Sequence, residues 1–377
     1  MTASRAPGLE AVRGLAAVQG IFFHAGLSFA STDLGWVTRE ASHAAWSDAA
    51  LFLSHGMRMP LFFWLAGHAS ARLLERATPL DFLVLRFKRL GQPLLWSAAT
   101  LLPISLLAWV ASGRAPKSHG PSLATVIPGH LWFLLYVLLF SVAAAGMWRH
   151  GTQRWLARLG AVDWRVGLPA LAGLQGAALW LLRDHAGDPS RHLMPLPQQV
   201  LGYGLFFGVG LALGTGSPGL EAVRGCRRWA TGSMMVTAVG WLWLAGPAPL
   251  ERLLSRGNWT WAECLAAGAF SWSAVLAVLG AALHWVRRSV APLAWLGRAS
   301  LLVYLLHLPV VVWLQVALHQ VTLWGPLKYG LLVGCSLALT LALSWVLLAR
   351  REATRPKQTA GATRGLSRER DPQGGIA

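Results

Sequence analysis

Four stretches of this sequence place ionisable or hydroxyl-bearing side chains inside long apolar runs. The first, "LEAVRGLAAVQGIFFHAG", carries Arg13 and His24. Eleven residues at 100° each leave a net rotation of about 20°, so on a helix both side chains share one face, about 16 Å apart along the axis. One is a permanent cation, the other a base that works near neutral pH. The second stretch, "SHGMRMPLFFWLAGH", has His55 and Arg58 at i, i+3, again on one face, with Arg58 deep in the run and His68 nearer its far end. The third, "PGHLWFLLY", opens with His130 and Trp132, and the fourth, "ASLLVYLLHLP", lines up Ser300, Tyr304 and His307 at spacings of four and three. An ionisable group at membrane depth is costly, which makes each a functional candidate. Together they suit removal of a proton from a hydroxyl beside cations able to hold an anionic ligand.

Plainer roles compete for every one of these residues. Arg13 can snorkel to the membrane surface or pair with Glu10, and His24 can be a hydrogen-bonded packing residue. Arg58 can sit in a structural salt bridge, Trp132 in an interfacial aromatic belt, and the Ser300–Tyr304–His307 stripe in hydrogen bonds between helices. Carboxylates are scarce. Glu10 lies about 21 Å from His24 along the same helix. A partner for the second ring nitrogen of His24 would therefore come from Glu263 or Asp48, both at the outer ends of apolar runs. Cys226, Cys264 and Cys335 stand singly, with no metal-ligand or redox spacing, and no metal site is expected.

The elements that position these residues follow from composition. The chain has 377 residues, 55% hydrophobic and 13% charged, with 21 Trp and a mean hydropathy of +0.48. That is too apolar for a soluble protein of this length and predicts an all-α polytopic integral membrane protein. Ten runs are long enough to span a bilayer, near 9–30, 47–72, 91–111, 130–148, 166–183, 199–216, 229–246, 264–286, 296–318 and 328–349. The first, holding Glu10 and Arg13, reads as a retained span rather than a removed signal peptide. The net charge of +18 falls in short clusters between the runs, not on one face, which argues against nucleic acid as a partner. Most of the basic residues lie in the two tails and in the loops after the second, fourth, sixth and eighth spans. The positive-inside rule then predicts that both termini are cytoplasmic. The densest of these loops holds Arg86, Lys88 and Arg89. The transmembrane domain is expected over 1–349, and a basic, disordered cytoplasmic tail over 350–377. No long soluble domain and no internal repeat is visible.

These motifs, in this order, resemble the acyltransferase 3 family of ten-helix membrane O-acyltransferases, and within it the branch of periplasmic glucan succinyltransferases. The resemblance runs from Leu9 to about Arg350. It is carried by the Arg-x10-His pair Arg13 and His24 and by "HGMRMPLFFWLAG", "LRFKRLGQPLL", "HLWFLLYVL" and "ASLLVYLLHLP". Two positions depart from the family pattern: Glu10 stands where Asp is usual, and Ala66-Gly67-His68 replaces a Ser-Gly-aromatic motif. The resemblance implies transfer of an acyl group, succinyl or acetyl, from cytoplasmic acyl-CoA to a hydroxyl of a periplasmic or cell-surface glycan. The enzyme would sit in the inner membrane of a bacterium, use acyl-CoA as co-substrate and need no tightly bound cofactor. His24 is then the general base, and Tyr304, His307 or Arg58 stabilises the oxyanion. Arg13, Arg86, Lys88 and Arg89 form a phosphate-binding mouth for the donor, and His55, His130, Trp132 and Glu263 line the acceptor site. Two rival readings stand beside it. A transporter of a glycan or small anion would use the same buried cations without acyl chemistry, and a non-catalytic scaffold would not need His24 at all.

Overall fold

The computed structural model of the chain describes residues 6–42, 45–114, 129–152, 158, 163–181, 195–215, 218–254 and 259–354. Within them the regular structure is helical throughout: α1 (Pro7–Gly26), α2 (Ala45–Leu74), α3 (Pro79–Arg86), α4 (Gln92–Ala99), α5 (Leu101–Ala111), α6 (Trp132–Arg149) and α7 (Trp164–Leu181). There follow α8 (Pro197–Gly214), α9 (Pro218–Gly225), α10 (Arg227–Ala245), α11 (Pro249–Leu254), α12 (Trp261–Trp285), α13 (Ala291–Leu318) and α14 (Gly325–Ala353).

Helices occupy each of the ten positions where a span is expected. Five stretches are long and apolar enough to cross a membrane by composition alone: Pro79–Ala111, α6, α12, α13 and α14. The pair Gln199–Gly214 and Gly219–Gly225 makes a sixth if it is one broken span. The shortfall from ten has a physical reason. The helices that miss the criterion include α1, with Glu10, Arg13, Gln19 and His24, and α2, with Asp48, His55, Arg58 and His68. Such helices are tolerated when other helices surround them, and α1 is buried along most of its length. The molecule is a multi-pass membrane protein, helical throughout its described residues, and two of the helices that miss the criterion, α1 and α2, carry His24, His55 and Arg58.

The third expected span begins earlier than its hydropathy suggests. Helix starts at Pro79, capped by the Thr78 side chain, which accepts from the Asp81 N–H at 3.1 Å. It passes through one π-helical turn, Phe87–Gly91, just before Pro93. Proline lacks an N–H, so a wider turn ahead of it absorbs the missing bond without ending the helix. The basic cluster expected in a loop therefore lies on helix. At the other end of the chain α14 continues to Ala353, so the first residues of the expected tail are helical, and those from 355 onward lie outside the described residues.

At the centre α1 packs against α2, α12, α13 and α14. The α1–α13 seam is closed by small residues: a Cβ on Gly14 would meet the Gly297 nitrogen at 2.9 Å, and one on Gly297 would meet the Glu10 carbonyl oxygen at 2.7 Å. Without a hydrophobic drive between helices in lipid, such backbone approach supplies the packing energy. Beside this seam α2 pairs closely with α8, and Phe63, Trp132, Tyr136, Phe140 and Tyr203 fill an aromatic core. The connection from α1 to α2 is tied down over residues 28–40. Glu40 N–H donates to the Ser28 carbonyl at 2.8 Å, Ser28 and Thr38 hydroxyls meet at 2.8 Å, and Arg39 donates to the Ser31 carbonyl at 3.0 Å. Lys328 of α14 donates to Glu40 at 2.5 Å, both side chains being buried.

Candidate active site

His24 lies in the last turn of α1, and the expected shared face with Arg13 is realised by one unbroken helix. Three other helices bring their polar residues to it. The His307 ring of α13 lies 5.2 Å from the His24 ring, centroid to centroid. Behind it His130 stands 5.9 Å from His307 and 5.7 Å from Tyr304. His130 sits in a single 3₁₀ turn, Gly129–Leu131, that leads into α6. From α2, Arg58 places its guanidinium 4.1 Å over the Phe23 ring, and the His55 ring lies 5.7 Å from the same phenylalanine. Phe23 in turn meets His24 edge-on at 5.2 Å. Residues more than 280 positions apart in sequence thus converge at one end of α1.

The hydrogen bonds define what each group can do. His307 Nδ1 contacts two backbone carbonyls, Val303 at 3.1 Å and Tyr304 at 2.7 Å. Carbonyls only accept, so this nitrogen carries the proton and Nε2 keeps its lone pair. Nε2 is buried without a partner and lies 3.1 Å from where a Cβ on Gly20 would stand. A Cβ there would press on this imidazole, so the glycine gives it room against α1. The Tyr304 hydroxyl donates to the His130 carbonyl. His24 Nδ1, Arg58 Nε and both ring nitrogens of His130 are buried without hydrogen-bond partners. Native interiors rarely leave so many polar atoms unsatisfied, and their concentration in one place marks a site that receives a polar ligand. Arg58 has no carboxylate partner among the described residues, so the salt-bridge alternative does not account for it. Nor do the described residues contain a metal-ligand cluster.

Several expected site residues lie elsewhere. Glu263, expected beside the acceptor or as the partner of His24, is a helix cap: it forms a capping box with Thr260 and a two-pronged ion pair with Arg252 at 2.5 and 2.7 Å. Asp48 accepts from the Ser31 N–H at 3.0 Å and from the Ser31 hydroxyl, closing the loop over α2. Trp132 is buried in the aromatic core against Tyr136 and Tyr203. His68 stacks on Trp64 one turn away, 5.4 Å between ring centres.

The four expected phosphate-binding cations are also held separately. Arg13 donates through Nε and Nη2 to the Gly297 carbonyl, at 3.1 and 2.7 Å, joining α1 to α13. Arg86 is buried and donates to Ser70 at 2.5 Å and the Ala66 carbonyl at 3.3 Å, which fixes α3 to α2. Lys88 and Arg89 are exposed on the π-helical turn. Two residues beside His24 are not among the expected site residues. The Trp36 indole stacks on the His24 ring at 5.6 Å and 17°, and Gln315 bonds both that indole and the carbonyl of His24.

A family model described as an acyltransferase domain, acyltransferase 3, matches residues 7–349. Among curated proteins, the glucans biosynthesis protein C of Escherichia coli strain SMS-3-5 is 29% identical over 141 residues, which is 35% of this chain and 36% of that protein. Its counterpart in E. coli K12 is 28% identical over the same length. The matched region spans about a third of the length of these curated relatives. No solved structure matches the chain.

Proposed function

Because this chain belongs to the acyltransferase 3 family, and is on that ground a membrane acyltransferase, we propose that it transfers an acyl group, succinyl or acetyl, from cytoplasmic acyl-CoA to a hydroxyl of a periplasmic or cell-surface glycan. The observation that carries this reading is the convergence of His24, His307, His130 and Arg58, each with a buried polar atom that has no hydrogen-bond partner. The likeness to glucans biosynthesis protein C supports a glucan-like acceptor.

In this account His24 takes the proton of the acceptor hydroxyl as its oxygen attacks the thioester carbon. The tetrahedral oxyanion collapses with cleavage of the C–S bond, and the imidazolium returns the proton to the departing thiolate. The products are an ester and free coenzyme A. An unassisted hydroxyl is a poor nucleophile, and a positioned base contributes about 10²–10⁴-fold. Of the three groups considered for the oxyanion, two are committed. The Tyr304 hydroxyl donates to a carbonyl, and His307 Nε2 bears a lone pair. Arg58, with a permanent positive charge and an unpartnered Nε, takes the role. His307 and His130 are left as acceptors for the glycan hydroxyls. The exposed Lys88 and Arg89 hold the donor's phosphates with Arg13 on the α1 side, and Arg86 anchors the helix that carries them. The sidedness follows the positive-inside rule: both termini and Lys88–Arg89 face the cytoplasm, and the His24 end of α1 faces the periplasm.

Purified protein in lipid nanodiscs, supplied with succinyl-CoA or acetyl-CoA and a soluble glucan, tests this. Release of free thiol that depends on the glucan, with an acyl mass increment on it, is expected. Glucan binding or movement across a vesicle membrane with no thiol released from either donor would replace the enzyme by a transporter.

A further inference from the structure

We propose that Gln315 and Trp36 act together as positioning residues that fix the imidazole of His24; the inference rests on His24 being the base of the reaction above. Gln315, on α13, is 2% exposed and spends both ends of its amide. Nε2–H donates to the carbonyls of His24 at 3.0 Å and Ala25 at 3.3 Å. Oε1 accepts from the Trp36 indole N–H at 2.9 Å. The two carbonyls lie in the last turn of α1, where a helix runs out of its own N–H partners. The indole that Gln315 holds is the one lying nearly parallel to the His24 ring, at 17° and 5.6 Å. A single buried amide therefore sets both the backbone that carries the imidazole and the aromatic plane against it.

The loop bearing Trp36 is fixed in its own right, so that plane does not drift. Its indole meets Trp109 edge-on at 5.2 Å, and Trp109 Nε1–H donates to the Gly35 carbonyl at 3.4 Å. Arg114 pairs with Asp33 at 2.7 Å on one side of Trp36, and Lys328 with Glu40 at 2.5 Å on the other. With Phe23 at its edge and His307 beside it, the His24 ring is bounded on three sides by packed groups. An amide offers both the donor and the acceptor that this position uses. A carboxylate would turn a lone pair on the two carbonyls, and a thioether of similar volume would offer no donor.

The test uses the full chain in nanodiscs with two variants: Gln315→Met, which keeps side-chain length and removes the amide, and Trp36→Phe, which keeps an aromatic ring and removes the indole N–H. In the acyl-transfer assay kcat should fall on the order of 10-fold to 100-fold, as expected for a misplaced catalytic group. KM for the donor should hold, and the apparent pKa of the base in the kcat–pH profile should move. The double variant should lose less than the product of the two single losses, since both variants remove the Trp36–Gln315 bond. A second readout needs no turnover: the rate at which diethylpyrocarbonate modifies His24, followed by peptide mass spectrometry, should rise in both variants. A wild-type pH profile and a wild-type His24 modification rate in both variants would overturn the proposal. Should Gln315→Met fail to give monodisperse protein, Trp36→Phe decides alone. If His24→Ala keeps full activity, the base assignment falls. The modification rates would then still decide whether Gln315 and Trp36 hold the ring.

Discussion

Each polar side chain near His24 has a job that its hydrogen bonds narrow. Arg58 is seated on the face of Phe23, and among the described residues no acid pairs with it. If it stabilises the oxyanion, Arg58→Gln lowers kcat by about 10²–10³-fold, and Arg58→Lys recovers part of the loss by restoring charge without the fork. Steady-state kinetics on the two variants would show this, and equal activity of Arg58→Gln and wild type would remove Arg58 from the mechanism. The lysine–arginine cluster separates by the same logic. Lys88→Ala with Arg89→Ala should raise KM for acyl-CoA and leave kcat in place, whereas Arg86→Ala should lower thermal stability through the lost Ser70 bond. A thermal-shift measurement beside the kinetics distinguishes them.

Legibility in the sequence also divides at this scale. The Arg13–His24 and Tyr304–His307 pairs are visible because helical periodicity puts polar residues of an apolar run on one face. Gln315 stands eleven residues after Tyr304, the same spacing as Arg13 to His24, so a signal for it exists. Trp36 sits in a loop with no period, one of 21 tryptophans, and nothing in the chain marks it. Glu263 shows the reverse case. The T-x-x-E spacing from Thr260 is that of a capping box, and local capping of α12 claims a carboxylate that a tertiary argument would send to His24.

Among the helices, the α1–α13 seam sets the site. Its small residues let the two backbones approach until His307 reaches the neighbourhood of His24, and Gly20 is the position whose added Cβ would press on the His307 ring. Gly20→Ala should displace the His307 ring by a few tenths of an ångström and lower kcat while the protein still folds. Size-exclusion and thermal-shift profiles like the wild type, beside reduced turnover, are the expected pair of results. Unchanged turnover would show that the seam has slack. At the cap of α12, Thr260→Val removes one hydroxyl acceptor and should cost about 1 kcal/mol of stability, with little effect on kcat. The helical start at Pro79 was not legible in hydropathy, because a basic cluster in a membrane protein is read as loop, while Thr78, Pro79 and Asp81 carry the local start signals.

Across the whole molecule, hydropathy identifies the class and gives the positions of the helices, and it underrates α1 and α2, which carry His24, His55 and Arg58. The polar helix α1 is packed among α2, α12, α13 and α14, of which the last three are apolar enough to span by composition. Sidedness remains a matter of charge distribution: reporter fusions after Arg89 and at the C-terminus should read as cytoplasmic, and one in the loop at Arg39 as the opposite side. The contacts among α1, α2, α6 and α13 bring the histidines together only once the bundle has closed. No single motif of the sequence therefore contains the site.

The central claim is that His24 makes a glycan hydroxyl reactive towards an acyl thioester, and mass spectrometry of cell-surface and periplasmic glycans tests it most directly. Three strains suffice: the native strain, a deletion, and the deletion rescued with His24→Ala at matched protein level. The account predicts an acyl mass increment in the first, lost in the second and not restored in the third, and the increment identifies the acyl group. Full restoration by His24→Ala would contradict it.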